Sequence, residues 1–363
     1  TGPNANSMRT LNGAWTYNWQ GKHTDMYIDG VPSSLINTAQ KQGNFESKLI
    51  KDNLKPKPFN TIYEAFLKKF GKNNISFIEG VSYANDGNYH HMNEINIDEV
   101  IEAAKYHDYI LLCLGENTYT EKPGDLNDLN LHKLQLKLAK ELSICGKPII
   151  LVLNLGRPRI ISQIESDMSA IINIYLPGNT GADALVDIVS GDINPSGKLP
   201  YSYPAFPNAL APYFHKPSES LDWSQGAYDY SGKLVQLYPF GYGLSYSKFE
   251  YKDIKIEKDT LNSNDTLNLF LTIKNTSDID GKEVVQVYTS DSHASISPDN
   301  KRLRAFRKIF IPLGDSKECN FRIPVSDLSF VNLENKYVVE SGEFTIHVGG
   351  NSKDLTSLKF FVR

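Results

Sequence analysis

Between residues 60 and 210 apolar positions recur in blocks of helical and strand period, and beyond residue 249 they alternate with polar ones in steps of two. Thr61-Ile62-Tyr63-Glu64 has the form of a capping box, and Ile62, Phe66 and Phe70 share one helical face before Gly71 stops the helix. A short strand is predicted over residues 75–78 and a helix through residues 100–105. Residues 109–114 are an unbroken apolar run, the pattern of a parallel strand covered on both faces. Leu131, Leu134, Leu138 and Leu142 mark the next helix, with Gly146 and Pro148 as its stop signals. Strands at 149–153 and 170–176 follow, then a helix over 181–189. Repeated strand–loop–helix units predict an α/β domain built on an open, mostly parallel sheet with helices on both faces.

The pattern changes after Pro200. Residues 201–246 are rich in Tyr, Pro and Ser and read as an ordered linker. From Phe249 the alternation is all-β: Leu267, Leu269, Leu271 and Ile273, then Val285 and Val287, Phe321 and Ile323, and Phe344, Ile346 and Val348. Turn signals at Asp280-Gly281, Leu313-Gly314-Asp315 and Ser341-Gly342 separate them, so about seven short strands predict an immunoglobulin-like or fibronectin-like sandwich. The expected division is an α/β sandwich domain over 1–210, a linker over 211–246 and a fibronectin type III-like β-sandwich over 247–363. Within the last, the basic run Lys301-Arg302-Leu303-Arg304-Ala305-Phe306-Arg307-Lys308 is expected to form an edge strand, where charge discourages pairing with other chains. Residues 21–58 are polar and aperiodic, a loop long enough to be functional or mobile. Thr1-Gly2-Pro3-Asn4-Ala5-Asn6 reads as a loop leaving a strand, which predicts a chain that starts within a longer protein.

Charge narrows the function classes. The 363 residues carry 38 Lys and Arg against 42 Asp and Glu, a net charge of −4, so no basic surplus exists to neutralise nucleic-acid phosphates. Cys113, Cys145 and Cys319 are three, and far apart, which argues against a disulfide framework or a Cys-based zinc site. The longest apolar stretches are about six residues, far short of a membrane-spanning helix. Twenty tyrosines and an aromatic content of 11% suit packed sheets or contact with sugar rings.

In an open parallel sheet ligands bind beyond the carboxyl ends of the strands, so the loop after residues 109–114 is the first place to look for chemistry. It places four carboxylates, Glu116, Glu121, Asp125 and Asp128, within thirteen residues. Glu121, beside Lys122 and Pro123, can extend outward as a proton donor. Glu116, nearer the strand, is expected to be held by local hydrogen bonds, and Asp125 and Asp128 to cap the helix starting near Leu129. A solvated acidic loop with a helix cap remains the competing reading. In Trp15-Thr-Tyr17-Asn-Trp19-Gln-Gly21 the alternating aromatics are either one buried strand face or, at Trp19, a stacking platform for a sugar or base. Gly178-Asn-Thr-Gly181 reads as a tight strand-to-helix turn, because no Gly-Lys-Ser/Thr follows to make a phosphate loop. His90-His91 reads as a surface turn, and Gly241-Tyr-Gly243 as an incomplete glycine fingerprint. No Gly-x-Ser-x-Gly elbow occurs.

Several stretches together resemble the C-terminal half of glycoside hydrolase family 3, the β-glucosidase and exo-β-glucanase group. They are Gly2-Pro3-Asn4-Ala5, Trp15-Thr-Tyr-Asn-Trp19-Gln-Gly21, Gly115-Glu116…Tyr119-Thr120-Glu121…Gly124-Asp125, and Leu176-Pro-Gly178…Gly181. Further along come Pro195-Ser-Gly197-Lys198-Leu-Pro200, Tyr238-Pro-Phe240-Gly-Tyr-Gly-Leu-Ser-Tyr246, Gly281-Lys-Glu283-Val-Val-Gln286-Val-Tyr288 and Gly342-Glu-Phe344…Val348-Gly349. The resemblance spans nearly the whole chain apart from much of 21–58.

It implies a (β/α)8-like barrel first, an α/β sandwich next and a fibronectin type III-like domain last. The nucleophilic Asp belongs to the barrel, in a Ser-Asp-Trp context; Ser220-Leu221-Asp222-Trp223 carries an intervening Leu and is not assigned that role. Of the retaining pair of carboxyl groups, the resemblance carries the general acid/base to Glu121 and the sugar platform to Trp19, and Glu116 is the further candidate for substrate binding. A barrel needs about 200 or more residues, and none precedes Thr1 here, so the nucleophile is expected from a barrel outside this chain. The implied function is a retaining exo-β-glucosidase acting on β-linked oligosaccharides or aryl glucosides, with no cofactor. Its implied setting is periplasmic or secreted, without nucleic-acid or membrane partners and with homodimerisation open. The alternatives are a β-xylosidase or exo-β-glucanase of the same family, or a non-catalytic carbohydrate-binding or structural module.

Overall fold

The structure is a computed structural model that describes residues 1–14, 27–28, 54–55, 59–84, 86, 88–119, 121–209, 212–217 and 236–363. Trp15, Tyr17, Trp19, most of 21–58 and residues 220–223 lie outside the described residues. The chain forms two compact units, Thr1–Asp192 and Ile193–Arg363.

The first unit opens with α1 (Met8–Asn12) and the short pair β1 (Tyr27–Ile28) and β2 (Leu54–Lys55). Helix α2 (Ile62–Phe70) starts at Thr61, whose hydroxyl accepts from the Glu64 N–H at 3.2 Å while the Glu64 carboxylate accepts from the Thr61 N–H at 2.8 Å, the predicted capping box. A hairpin of β3 (Val81–Tyr83) and β4 (Met92–Glu94) leads into α3 (Ile97–Ala104). Then come β5 (Ile110–Gly115), α4 (Lys133–Ser143), β6 (Ile149–Asn154), β7 (Ala170–Asn173) and α5 (Gly181–Val189). Strands β5, β6 and β7 pair in parallel in that order, as two-face burial predicts.

Period two divides the sheet between two helical layers. Cys113 and Val152 pack with Ile62, Ala65 and Phe66 of α2 and Ala182, Leu185 and Val186 of α5. Leu112, Leu114, Leu151 and Leu153 point the other way and are buried, leaving that face to α3 and α4, which contact each other.

The expected strand at 75–78 does not form. Thr1 takes the place beside β5 instead: its amino group donates to Leu111 O at 3.0 Å, and the Cys113 N–H donates to Thr1 O at 2.9 Å. The segment before β3 then meets Thr1 and Gly2 through Glu79 O, which accepts from both. The expected strand at 170–176 ends early, at Asn173.

In the second unit β8 (Tyr203–Pro204) pairs with β9 (Gln236–Tyr238) ahead of the sandwich. One sheet has the order β10 (Phe249–Ile256), β12 (Thr266–Asn275), β15 (Ser316–Pro324). The other runs β11 (Thr260–Leu261), β19 (Leu355–Val362), β18 (Gly342–Gly349), β13 (Gly281–Asp291), β14 (Arg302–Ile311). Between them lies the core of Leu267, Leu269, Leu271, Ile273, Val285, Val287, Phe321, Ile323, Phe344, Ile346 and Val348, the positions that alternate in the sequence. The basic run falls on β14, an outer strand of its sheet. Phe330–Val331 (β16) and Tyr337–Val338 (β17) form a small hairpin. Among the described residues no helix is long and apolar enough to cross a membrane.

Candidate active site

The carboxyl ends of β5 and β6 meet so closely that Gly115 has no room for a side chain: a Cβ there would lie 2.1 Å from Asn154 O. The next residue, Glu116, turns into this junction and is only 7% exposed. Its Oε1 accepts from Arg159 Nη1 at 3.0 Å and from the Tyr119 hydroxyl, and lies 3.3 Å from Arg157 Nε. Its Oε2 accepts from the Gly156 N–H at 3.2 Å. Held by these donors, Glu116 anchors its loop at the strand end.

Further polar groups close the junction from below. Buried Asn4 donates through Nδ2 to Glu116 O at 3.2 Å and to Asn154 Oδ1 at 3.0 Å, and its Oδ1 accepts from the Tyr83 hydroxyl at 2.8 Å. Burial raises the Tyr83 phenol well above its ordinary pKa, with the charges of Tyr119 and Glu116 adding to the shift. Tyr119 is also raised, by burial first and then by Glu116, so both phenols stay protonated donors at neutral pH.

From this anchor the loop runs outward to Glu121, which is exposed. Its backbone has φ 54° and ψ −146°, a region that residues with a Cβ rarely occupy. The flanks of Glu121 are held on both sides. The Tyr119 ring lies 5.0 Å from the His90 ring and 5.3 Å from the Arg157 guanidinium. On the other side the Gly124 N–H donates to Glu121 O at 2.8 Å in a short 3-10 turn, and the Pro123 carbonyl meets His90 Nε2 at 3.0 Å. Gly124 packs so near Tyr119 that a Cβ would sit 3.1 Å from the ring. The result is a strained, outward-facing carboxyl on a clamped loop, a geometry suited to passing a proton to and from a bound molecule.

The remaining candidates separate. Asp125 is exposed, and neither it nor Asp128 caps a helix: α4 begins later, at Lys133, and His132 Nδ1 accepts the Leu134 N–H at 3.2 Å. Asp128 instead accepts from Asn130 N at 2.9 Å and Nδ2 at 2.8 Å, bonds that hold its carboxyl below the usual range. Burial lowers His132 and favours the neutral ring that accepts at the cap. Gly181 opens α5 through the expected turn, its N–H donating to Gly178 O at 3.2 Å. A cleft of about 610 Å³ lies beside the acid loop, lined by Tyr83, Tyr89, Asn117, Tyr119, His132 and Arg159 among others. Among the described residues no group of three His, Cys, Asp or Glu side chains is placed to hold a metal.

The clamps carry no motif in the sequence: His90 reads there only as a turn residue, and Arg157 and Arg159 stand in no recognisable pattern. Two arginines directly after the carboxyl end of an apolar strand, next to an acidic loop after its neighbour, are the signal that points to them.

Comparison with known proteins adds an independent measure. Residues 1–246 match the glycosyl hydrolase family 3 C-terminal domain, and residues 283–352 match a fibronectin type III-like domain. A lysosomal beta glucosidase of Dictyostelium discoideum is 29% identical over 98% of this chain and 40% of its own length. A beta-xylosidase of Formosa agariphila is 32% identical over 85% of this chain and 42% of its own length. The crystal structure of a beta-glucosidase from Listeria innocua in complex with isofagomine superposes with a TM-score of 0.79 at 28% identity, over 99% of this chain and 45% of that one. The chain thus spans about 40% of the length of these curated relatives.

Proposed function

The chain belongs to glycosyl hydrolase family 3, as its C-terminal domain followed by a fibronectin type III-like domain, and from that premise we propose that it is the C-terminal portion of a retaining exo-β-glucosidase. Such an enzyme removes terminal β-linked glucose from oligosaccharides or aryl glucosides. Glu121 is the general acid/base, and an Asp carboxylate of a preceding (β/α)8 barrel is the nucleophile. The observation that carries the reading is Glu121 itself: exposed, strained and clamped on both flanks, on the loop that follows a parallel strand.

The two steps follow from two carboxyl groups about 5–5.5 Å apart across the anomeric carbon. In the first, the barrel carboxylate bonds to that carbon while Glu121 gives its proton to the departing glycosidic oxygen. In the second, the Glu121 carboxylate takes a proton from water as the water oxygen displaces the nucleophile. Glu116 positions the loop, and Trp19, in a motif similar to that of the family, is the platform for the outer sugar. The Formosa relative favours one second reading, a β-xylosidase with the same chemistry and a smaller sugar pocket.

The test uses the barrel-bearing protein carrying Glu121→Ala on an aryl β-glucoside with a good leaving group. That leaving group departs without acid, so the sugar is still captured and turnover stalls at the second step. Azide, which attacks without base help, restores turnover and yields the β-glucosyl azide. Undiminished activity in the variant removes Glu121 from the chemistry.

A further inference from the structure

Besides its anchor at the strand end, the acid loop is fastened to the β3–β4 hairpin. Asn117, four residues before Glu121, is buried, and its Nδ2 donates to Tyr89 O at 3.1 Å. Its Oδ1 accepts from the Thr118 N–H at 2.8 Å, which fixes the direction in which the amide presents its own N–H bonds. Tyr89 belongs to the turn that joins β3 to β4, and the next residue of that turn, His90, meets Pro123 O and the Tyr119 ring. Two consecutive turn residues therefore hold the loop on both sides of Glu121. Arg9 of α1 adds a further tie: its Nε donates to Thr118 Oγ1, and its guanidinium lies 6.0 Å from the centre of the Tyr89 ring.

The turn is itself held in place. The Ala84 N–H donates to His91 O at 2.9 Å, and the His90 N–H donates to Asn88 Oδ1 at 2.9 Å. At the base of the hairpin the Tyr83 hydroxyl donates to buried Asn4, and Lys137 of α4 pairs with Glu94 at 2.8 Å. The hairpin thus carries a fixed point to the loop. A Glu at φ 54° and ψ −146° keeps that conformation only where its surroundings over-determine it, and the contacts at 117, 119 and 123 supply the constraint. Asn117 has two tasks here, one as acceptor and one as donor. A carboxylate of the same shape would keep the first and lose the second.

We propose that Asn117 is a positioning residue for proton transfer at Glu121: its carboxamide ties the acid loop to the hairpin turn and so sets where the Glu121 carboxyl meets the departing oxygen. The proposal rests on the glycosidase reading and deepens it with a residue that acts through Glu121. A reacting group displaced by about 1 Å can lose on the order of 10²-fold in the step that depends on it. Releasing this tie therefore slows the step that uses the acid and spares a reaction that does not need it.

The experiment compares Asn117→Asp, Asn117→Ala and Glu121→Ala in the barrel-bearing protein and reads kcat/KM on phenyl and dinitrophenyl β-glucosides. This ratio reports the capture of the sugar, in which phenol needs a proton to depart and dinitrophenol does not. Asn117→Asp removes the donor at constant shape, and Asn117→Ala removes it without adding a charge. Both should lower kcat/KM on the phenyl glucoside by about tenfold or more and leave the dinitrophenyl value within about twofold. Glu121→Ala should show the same selectivity to a greater degree. Equal losses on the two substrates overturn the proposal, since Asn117 would then serve folding alone, and so do wild-type values on both. A selective loss confined to Asn117→Asp also overturns it, because the introduced charge would be the cause. Wild-type cleavage of the phenyl glucoside by Glu121→Ala removes the acid/base reading and the proposal with it. A selective loss in Glu121→Ala with none in the Asn117 variants overturns the proposal alone.

Discussion

Replacing Glu116 tests the anchor on which the acid loop depends. Its side chain is 5% exposed and that of Arg159 11%, so their 3.0 Å contact is desolvated on both sides. Arg157 is 35% exposed, and its ion pair contributes about 1 kcal/mol or less. Glu116→Ala leaves the Arg159 charge buried without its carboxylate, a loss of roughly 3–5 kcal/mol. Glu116→Gln keeps the shape and one acceptor, so about 2 kcal/mol is expected, the value of a charged hydrogen bond. In a unit of this size each kcal/mol moves the midpoint by about 2–4 °C, so the Ala variant should melt on the order of 10 °C lower. Calorimetry and urea titration followed by far-UV circular dichroism measure both variants. The sharper check is a cycle with Arg159→Met: removing both charges should cost clearly less than the sum of the two single losses, because neither ion is then left alone. A loss below about 1 kcal/mol in Glu116→Ala, or strictly additive losses in the double variant, would refute the view that this pair holds the loop.

Two other tests bear on the same molecule. His90→Ala removes the contact to Pro123 O and the ring beside Tyr119, and should lower kcat of the barrel-bearing enzyme about tenfold with a smaller change in KM. His90→Gln can still donate to that carbonyl and should recover part of the loss; equal kcat in all three proteins counts against the clamp. In the second unit burial raises the Glu283 carboxyl, while Lys198 at 3.8 Å and the Tyr251 hydroxyl at 2.9 Å draw it back only in part. The folded state therefore holds this proton more tightly than the unfolded chain, whose Glu titrates near about 4.3. Its contribution is present at low pH and declines as pH rises from that value through the folded pKa. Glu283→Gln should flatten this segment of the stability–pH curve, and parallel curves for the two proteins would contradict the assignment.

The legible parts of the fold are those in which local pattern and tertiary environment demand the same residues. Thr61 and Glu64 announced α2 because both halves of the capping box lie within one turn. The alternating residues of β12 and β18 announced the sandwich because a half-buried strand repeats every two positions. The strand expected at 75–78 had the right residue types, yet a strand also needs a neighbour, and Thr1 occupies the place next to β5. The helix cap expected at Asp125 or Asp128 failed for a related reason. Asp128 found a nearer partner in Asn130, and the helix began where His132 could accept its N–H.

The site follows the same division. The loop, its carboxylates and Glu121 were visible because a parallel strand ends at Gly115 and the chain turns acidic there. The supports of Glu121 come from Asn4, Tyr83, His90, Asn154, Arg157 and Arg159, which lie on five other segments and show no shared period. Only the close approach of β5 to β6, which Gly115 permits, brings Asn154 and both arginines to the acid loop. The strain at Glu121 is equally invisible in a sequence, since nothing in the residue type asks for positive φ. A chain free to relax would place Asn or Gly at 121, as it tolerates Asn208 and Asn335 elsewhere. That a carboxylate stands there instead, between Tyr119 packed on His90 and a turn closed by the Gly124 N–H, is the argument for treating Glu121 as a working residue.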